Sequence, residues 1–231
     1  MIIAGIDGAS RRNGKPNCLS AGATYIRDTE SGKARARTVV EKGGSTNQRG
    51  ELNALLLFLE NIVQILRNKD TDVILVTDSE YVYNALTKEW YKNWENKGWV
   101  KADGEPLKNI DVWQNISAML KILDEEERDI VAYHVKGHVI SIGKVTGAKL
   151  VEIQDNYFTL YNAVADKVET AFSGNDPKAH ERVQNAIEVF ERNHEFVPPP
   201  EVLKQMLTVN NTTDIIAGVA ADKADAEWTD K

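Results

Sequence analysis

Cysteine and long apolar runs are nearly absent from this 231-residue sequence, which contains one cysteine, Cys18. One cysteine excludes an internal disulfide and fits a reducing compartment. No apolar run approaches the roughly 20 residues that cross a bilayer. The N-terminus lacks the charged segment, apolar segment and small-residue cleavage site of a signal peptide. We therefore expect a cytoplasmic protein without membrane association.

Two motif classes are also missing. The sequence has no Gly-x-x-x-x-Gly-Lys-Ser/Thr motif, which argues against an NTP-driven motor. It has no cluster of cysteines and histidines that could bind zinc. Its 42% hydrophobic and 27% charged residues are those of an ordinary globular protein. The length suits one sizeable domain with an appendage, or two small domains.

The net charge of −7 is unfavourable for a nucleic-acid-binding protein until its distribution is considered. Residues 173–231 contain eleven acids and six bases, so residues 1–172 carry only −2. Residues 1–50 contain nine bases and four acids and are therefore net positive. The acidity is mainly a property of the C-terminal part and does not argue against nucleic acid.

Three β segments followed by alternating helices and strands predict an α/β fold, with a mixed sheet that helices flank on both faces. The predicted strands cover residues 1–9, 18–27, 33–42, 72–77 and 129–135. The longer predicted helices begin near residues 47, 109, 155 and 177. We place a domain boundary near 173, between a domain of residues 1–173 and a helical, acidic extension of residues 174–231. Its end, residues 220–231, is expected to be disordered.

Four acidic residues stand in separate local contexts. Asp7 and Asp78 each end an apolar, strand-like run, whereas Glu51 and Asp166 lie on predicted helices. An acid at the end of an apolar strand costs folding energy unless something pairs with it. Two Mg²⁺ or Mn²⁺ ions would neutralise such a cluster and leave positions for phosphate oxygens. Two such ions can activate water and stabilise the leaving oxygen of a phosphodiester.

Taken singly, each acid has an ordinary explanation. Glu51 near a helix start favours the helix dipole, and Asp78 can cap the next helix. Asp166 on a helix can be a solvated charge, and Asp7 can belong to an Asp-Gly turn. Only the order and the neighbours of the four acids favour a shared metal site.

Those neighbours resemble the motifs of type 1 ribonuclease H over residues 1–172. Six segments match in order: Asp7-Gly8-Ala9-Ser10, Thr46-Asn47-Gln48-Arg49-Gly50-Glu51-Leu52, Thr77-Asp78-Ser79-Glu80-Tyr81-Val82, the segment 94–113, His134-Val135-Lys136-Gly137-His138 and Ala165-Asp166-Lys167-Val168. The resemblance implies the fold of that family, a five-stranded mixed sheet in which three antiparallel strands precede parallel strands. It also implies a catalytic, metal-binding set made of Asp7, Glu51, Asp78 and Asp166, with two Mg²⁺ or Mn²⁺ ions.

The resemblance implies further roles for single residues. His138 corresponds to a mobile loop histidine that helps proton transfer or product release, although a lone His after Lys-Gly is more often a surface loop residue. Amides suit recognition of the RNA 2′-hydroxyl. The implied hybrid contacts here are Asn13, Thr46, Asn47 and Gln48. Helix capping is the alternative explanation for Thr46 and Asn47. Glu80 stands where the family often has Gln and cannot donate a hydrogen bond when ionised.

The tryptophan-rich segment of residues 90–108 resembles the basic protrusion with which the family grips the DNA strand. The residues expected to contact sugars and phosphates are Trp94, Lys97, Trp99, Lys101 and Lys108. Acidic neighbours reduce the net charge of residues 88–108 to +1, which predicts weaker or more salt-sensitive hybrid binding. For Trp90 and Trp113, packing in the hydrophobic core is the alternative to a contact with the hybrid.

The sequence departs from the family pattern in two places. Twenty-seven residues separate His138 from Asp166, so we expect an inserted hairpin or loop at 139–154. The extension 174–231 has no counterpart in the minimal domain, and we expect either simple packing or a protein partner for it.

The resemblance implies endonucleolytic hydrolysis of the RNA strand of RNA–DNA hybrids, which leaves 5′-phosphate and 3′-hydroxyl ends. Primer removal or clearance of hybrids during DNA replication would use this activity. A non-catalytic hybrid-binding or scaffold module is one alternative, although all four acids are present. A related 3′–5′ exonuclease is another, but Asp7-Gly8-Ala9 lacks the Asp-x-Glu motif that it would need.

Overall fold

A computed structural model describes residues 1–101, 103–140 and 157–229. Its strands are β1 (Ile2–Arg11), β2 (Leu19–Asp28), β3 (Ala34–Lys42), β4 (Val73–Thr77) and β5 (Val131–His134). Its helices are α1 (Asn47–Leu66), α2 (Glu80–Thr87), α3 (Trp90–Asn96), α4 (Ile110–Glu125), α5 (Tyr157–Phe172), α6 (Pro177–Asn193) and α7 (Pro200–Thr229). The strands form one sheet in the order β3-β2-β1-β4-β5.

The pairing within the sheet confirms the predicted fold class. Strand β1 pairs antiparallel with β2, and β2 pairs antiparallel with β3. Strand β4 pairs parallel with β1 and also with β5. The parallel pairing of β1 and β4 runs as far as Gly5 opposite Val76. The carboxyl end of β4 therefore lies beside the middle of β1, which continues to Arg11.

Alternate residues of β1 face the two sides of the sheet, as the twofold period of a strand requires. Ile2, Ala4 and Ile6 pack in one core with α1 and α4. Ile3 packs in a second core, which α5, α6 and α7 build on the opposite side of the sheet. Helices therefore cover both faces, and residue 7 shares the face of Ile3 that α7 covers.

Glycines allow α1 to approach the sheet closely. A Cβ atom on Gly22 would lie 2.5 Å from the carbonyl oxygen of Gly50 and 2.7 Å from the amide nitrogen of Ala54. A Cβ atom on Gly8 would lie 2.5 Å from the amide nitrogen of Glu51. Both contacts are with backbone atoms, which no rotamer change can relieve. The first turns of α1 consequently rest directly on β1 and β2 and bring Glu51 to the end of β1.

The C-terminal part of the chain differs from its prediction. Helix α7 contacts β1 and β2 directly, and its Val209 and Ile216 lie in the same core as Ile3 and Val76. A boundary near 173 would therefore divide one hydrophobic core. The expected disorder of residues 220–231 is also wrong as far as Thr229, because α7 continues to that residue. The extension was predicted to be helical, but its polar end was attributed to a disordered tail instead of to the last turns of α7.

The predicted hairpin or loop at 139–154 lies almost wholly outside the described residues. Val139 and Ile140 are described and buried, and the Ile140 amide donates to Asn211 Oδ1 at 3.0 Å. This bond ties the end of the β5 loop to α7. Within the described ranges, no helix is both long and apolar enough to cross a membrane.

Removing residues 174–231 should abolish cooperative folding, because one side of the sheet would lose the helices that cover it. Each large apolar side chain exposed costs about 1.5–3 kcal/mol, and several such losses match the whole stability of an ordinary domain. Urea unfolding followed by circular dichroism measures this. A chain that ends at Trp228 is the control and should unfold like the full chain. A cooperative transition in the chain of residues 1–173 would contradict the single core.

Candidate active site

Asp7 and Asp78 occupy equivalent places on neighbouring parallel strands. Each lies two residues beyond the last pair of the β1–β4 register, Gly5 opposite Val76. Asp7 is buried, and its Oδ1 accepts a hydrogen bond from the amide of Gly8 at 2.7 Å. Asp78 directly follows β4 and is partly buried. The two carboxyl groups therefore meet at one edge of the sheet.

Glu51 reaches this edge from α1 and is held by two side-chain donors. Its Oε1 accepts from Asn47 Nδ2 at 2.9 Å, and its Oε2 accepts from Ser79 Oγ at 2.5 Å. Ser79 also caps α2, because its Oγ accepts from the amide of Val82. Ser79 thus connects the carboxylate of Glu51 to the end of β4, next to Asp78.

Asp214 on α7 is the fourth acid beside this group. The preceding residue, Thr213, is buried against β1, where a Cβ atom on Gly5 would lie only 2.3 Å from Thr213 Oγ1. The lack of a side chain at Gly5 lets α7 approach β1 closely. Asp214 consequently lies near enough to Asp7 and Asp78 for its charge to raise the pKa of both.

Burial and mutual repulsion dominate the electrostatics of the carboxylates. Burial, followed by the charges of Asp78 and Asp214, holds the pKa of Asp7 well above its usual range. Burial, followed by the charge of Asp214, also raises the pKa of Asp78, although His138 and His134 oppose this. Burial raises the pKa of Glu51, and the hydrogen bond from Ser79 lowers it. The group is an accumulation of negative charge that a cation would stabilise.

Asp166 does not join the other three predicted ligands. It is exposed on α5, where its carbonyl accepts a hydrogen bond from Thr170 Oγ1. The charges that raise the pKa of Asp7 come from Asp78, Asp214 and Glu51, and Asp166 is not among them. The structure therefore puts Asp214 where the sequence predicted Asp166. Both are aspartates on late amphipathic helices, and local sequence does not separate them.

The apolar spacing of α7 showed that Asp214 stands on a packed helix, although the spacing around Asp166 on α5 is similar. Buried residues recur at helical intervals through this helix: Leu203, Met206, Val209, Ile216 and Ala217. Such spacing indicates a helix that packs on a core rather than a solvated tail. Asp214 stands inside that pattern, which marks it as an acid carried by a core helix.

The loop after β5 closes over Asp78 through a second close approach. A Cβ atom on Gly137 would lie 2.0 Å from Asp78 Oδ2 and 2.9 Å from its Cγ. The next residue, His138, has a positive φ of 54° and an imidazole that is 79% exposed. Its Nδ1 lies 3.0 Å from Asp214 Oδ2. His138 is thus at the predicted site, in contact with the fourth acid, and open to solvent.

The donor set fits hard divalent cations, since it offers carboxylate oxygens with no sulfur ligand. Asp7, Glu51, Asp78 and Asp214 are the residues that could hold such ions. Among the described residues, no group of three or more acidic, histidine or cysteine side chains is already arranged to coordinate a metal ion. Instead, Glu51 bonds to Asn47 and Ser79, and Asp214 approaches His138. Binding of an ion would replace some of these internal contacts.

Several predicted substrate residues lie together at the start of α1. Thr46 caps this helix by accepting from the amide of Arg49 at 3.2 Å, so capping accounts for at least part of its role. The amide of Asn47 donates to Asn13 Oδ1 at 3.2 Å, which joins the β1–β2 loop to α1. Gln48 lies in the same first turn and is half-buried. This group adjoins the carboxylates through the Asn47–Glu51 bond.

An arginine anchors this end of α1 and was missed by the sequence interpretation. Arg49 Nε donates to Glu41 Oε2 at 2.6 Å, and its two terminal nitrogens donate to the carboxylate of Asp111 at 2.9 and 2.6 Å. Hydrogen bonds to Asp111 are the main reason that the pKa of Arg49 is raised. Arg49 therefore connects β3, α1 and α4 beside the predicted substrate residues.

The tryptophan-rich segment divides into packed and exposed residues. Trp94 packs on the α1–α4 core, with its ring centroid 5.0 Å from that of Trp113. Trp113 is fully buried and donates from Nε1 to the Tyr81 hydroxyl at 2.9 Å, so core packing describes it. Trp99 also contacts this core. The predicted phosphate contacts Lys97, Lys101 and Lys108 are exposed.

A pair of histidines supports the backbone of Asp78, and the sequence interpretation missed one of them. His134 Nε2 lies 3.1 Å from the carbonyl oxygen of Asp78. His194, just after α6, directs Nε2 to the carbonyl oxygen of His134 at 3.0 Å and Nδ1 to the hydroxyl of Tyr83 at 3.3 Å. A carbonyl only accepts, so Nε2 of each histidine carries the proton. Burial lowers the pKa of His194.

Comparisons with known proteins agree on one family. The RNase H family model matches residues 2–151, which cover all five strands and three of the four acids but not Asp214. A ribonuclease H of Alcanivorax borkumensis is 34% identical over 137 residues, which are 59% of this chain and 80% of that protein. A ribonuclease H of Ruthia magnifica is 33% identical over 126 residues, which are 54% of this chain and 73% of that protein.

Solved structures are more distant. LC11-RNase H1 in complex with RNA/DNA hybrid is 19% identical, with a TM-score of 0.42 and coverage of 59% of this chain and 86% of that one. LC9-RNase H1, a type 1 RNase H with the type 2 active-site motif, is 21% identical, with a TM-score of 0.46 and coverage of 59% and 63%. These likenesses are too slight to add to the sequence matches.

Gly137→Ala should weaken Mn²⁺ binding roughly 10-fold, the loss typical when partners of metal ligands are disturbed. The added methyl group would displace the carboxylate of Asp78 or the loop above it. Isothermal titration calorimetry measures the affinity. Gly218→Ala is the control, because a Cβ atom there meets nothing within 4 Å. Equal affinity for Mn²⁺ in the two variants would contradict the role assigned to Gly137.

His194→Gln should change how stability depends on pH. Because the pKa of His194 is lowered in the folded state, protonation favours the unfolded chain. The contribution of neutral His194 to the free energy of unfolding is therefore fully present above a pH of about 6.5. As the pH falls below that value, this contribution decreases by at most about 1.4 kcal/mol per pH unit. Gln keeps a donor and an acceptor but does not titrate. Urea unfolding from pH 8 to pH 5.5 should show the wild-type advantage shrinking, and a constant difference would contradict this.

Proposed function

Since the chain belongs to the ribonuclease H family, we propose that it cleaves the RNA strand of RNA–DNA hybrids with a carboxylate site formed by Asp7, Glu51, Asp78 and Asp214. The family match and the relatives named ribonuclease H support the activity. The packing of α7 on β1 carries the assignment of the site: Thr213 lies against Gly5, and the next residue, Asp214, lies 3.0 Å from His138, which follows the Gly137 that contacts Asp78.

The clustered carboxylates can bind the divalent cations that assist hydrolysis of a phosphodiester. Bound Mg²⁺ or Mn²⁺ would supply a Lewis acid for the phosphate and an activated water. The residues of the chain supply the framework for this chemistry. Asp7 lies within β1 and Asp78 directly follows the neighbouring strand β4, and Glu51 is oriented by Asn47 and Ser79. Two ions per site, either Mg²⁺ or Mn²⁺, follow the family pattern.

His138 is proposed to handle a proton near the scissile phosphate. Its imidazole is 79% exposed, so it can meet solvent and product, while its Nδ1 is close to Asp214 Oδ2. An imidazole can both accept and release a proton, which suits proton transfer and assistance to product release. The positive φ of His138 follows from the loop that passes over Asp78 at Gly137.

The hybrid is proposed to lie across the start of α1 and the tryptophan-rich segment. Asn13, Asn47 and Gln48 are near the carboxylates and carry the amides that a 2′-hydroxyl can bond with. Lys97, Lys101 and Lys108 are exposed and would contact DNA phosphates. Trp94 and Trp99 contribute chiefly by packing that shapes this segment, since both contact the core.

Three finer points stay predictions. The cytoplasmic location was predicted from the single cysteine, which is buried at position 18. A protein partner was predicted for residues 174–231, and α6 and α7 already use much of their apolar surface within the fold. Roles in replication follow from the proposed activity alone.

The decisive test compares two matched substitutions in hybrid cleavage. Asp214→Asn should lower kcat by more than roughly 100-fold, since even the outer partners of metal ligands are worth 10- to 100-fold. Asp166→Asn makes the same chemical change on an exposed helix and should alter kcat by no more than about two-fold. A labelled RNA–DNA hybrid with Mg²⁺ or Mn²⁺ is the substrate, and double-stranded DNA and chelated metal are the blanks.

The outcomes separate the alternatives. Loss of activity in Asp166→Asn but not in Asp214→Asn would overturn the assignment of the fourth acid. No internal cleavage by the wild-type chain, together with retained binding of the hybrid, would indicate a non-catalytic hybrid-binding module. Products released only from 3′ ends would indicate an exonuclease.

A further inference from the structure

The last turns of α7 hold the end of β1 through Arg11. Arg11 Nε donates to Asp222 Oδ1 at 2.7 Å, and its Nη2 donates to the carbonyl oxygen of Gly218 at 3.0 Å. Its Nη1 donates to the carbonyl oxygen of Ser10 at 2.9 Å. All three guanidinium nitrogens are therefore bonded within the protein, two of them to α7.

The next residue, Arg12, is held by the following turns of α7. Its Nη2 lies 2.5 Å from Asp225 Oδ1, and its guanidinium carbon lies 5.4 Å from the centroid of the Trp228 ring. Its Nε donates to the carbonyl oxygen of Asn17, inside the β1–β2 loop. Arg12 has a positive φ of 58°, a conformation that costs energy for a residue with a side chain. These contacts offset that cost.

A small apolar cluster keeps this end of α7 in place. Leu19 and Ala21 of β2 pack with Ala221 and Ala224 of α7, and Trp228 packs against them. The acidic residues that meet the two arginines are thus presented by a helix end that is itself seated on the sheet. The same helix carries Asp214 two turns earlier.

The loop held in this way carries Asn13, the residue directly after Arg12. Asn13 Oδ1 accepts from the amide of Asn47, whose side chain in turn donates to Glu51. A change of backbone conformation at Arg12 would move Asn13 away from the start of α1. The route from α7 to the proposed hybrid contact therefore passes through one strained residue.

We infer that Asp222, Asp225 and Trp228 form a C-terminal clamp that positions Asn13 of the β1–β2 loop for binding the hybrid. The inference rests on the proposed function. Under it, Arg11 and Arg12 are positioning residues rather than phosphate contacts, because all three guanidinium nitrogens of Arg11, and Nε and Nη2 of Arg12, bond within the protein. The acidic end of α7 then serves hybrid binding, although its charge alone would repel a nucleic acid.

The clamp is tested by steady-state kinetics on an RNA–DNA hybrid. The double variant Asp225→Asn/Trp228→Ala should raise KM roughly five-fold, the equivalent of losing one partly buried ion pair and one cation–π contact, and should leave kcat unchanged. Glu227→Gln removes a charge from the same turn, where Glu227 is exposed, and should leave both constants unchanged. If the acids merely masked arginines from phosphate, KM would fall in the double variant, which would overturn the clamp.

A rescue experiment separates positioning from direct contact. Glycine adopts a positive φ without strain. Adding Arg12→Gly to the double variant should therefore lower KM most of the way back to the wild-type value. If Arg12 contacted phosphate, the triple variant would bind the hybrid no better than the double variant, and the inference would be wrong.

Hydrogen exchange gives a readout that does not depend on catalysis. Amides of residues 11–18 should exchange faster in the double variant than in the wild type or in Glu227→Gln, while amides of α1 stay protected. Unchanged exchange in residues 11–18 would overturn the clamp even if the chain cleaves hybrids. Faster exchange in a chain that does not cleave hybrids would leave the clamp in place and refute the proposed function instead.

Discussion

The close contact between α7 and β1 at Gly5 is the constraint on which the rest of the structure depends. Thr213 could not occupy its place if position 5 carried a Cβ atom, and the helix would have to move away from the sheet. Because Asp214 follows Thr213, this contact brings the fourth acid to Asp7 and Asp78. The same seating extends along α7 to its last turns, which hold Arg11 and Arg12. One helix thus serves the core, the carboxylates and the β1–β2 loop.

The packing of α7 on β1 determines the electrostatics of the carboxylate cluster. Burial removes Asp7 from water, and the acids around it raise its pKa further, so the site favours cations or protons. Neighbouring groups limit the repulsion: Ser79 and Asn47 bond to Glu51, and His138 approaches Asp214. Each of these partners belongs to a different element. The cluster is therefore stable only when α1, the β5 loop and α7 are all in place.

Much of the fold and half of the site could be predicted because their signals are local. Apolar runs ending in Asp7 and Asp78 indicated strands that meet at one edge, and helical spacing put Glu51 on α1. The fourth acid could not be chosen in this way. Asp166 and Asp214 both stand on helices with an apolar face, and only the packing of α7 on β1 distinguishes them. The boundary near 173 failed for the same reason, since net charge along the chain says nothing about which face of a helix is buried.

The sequence by itself determined the family, the mixed sheet and three of the acids, because strand periodicity and short motifs depend on neighbours along the chain. Tertiary structure alone decided that Asp214 joins them, that Asp166 stays exposed and that His194 supports His134. Each of these outcomes depends on how closely two distant segments approach. That distance is set by residues such as Gly5 and Gly137, whose missing side chains have no meaning until the opposing atoms are known.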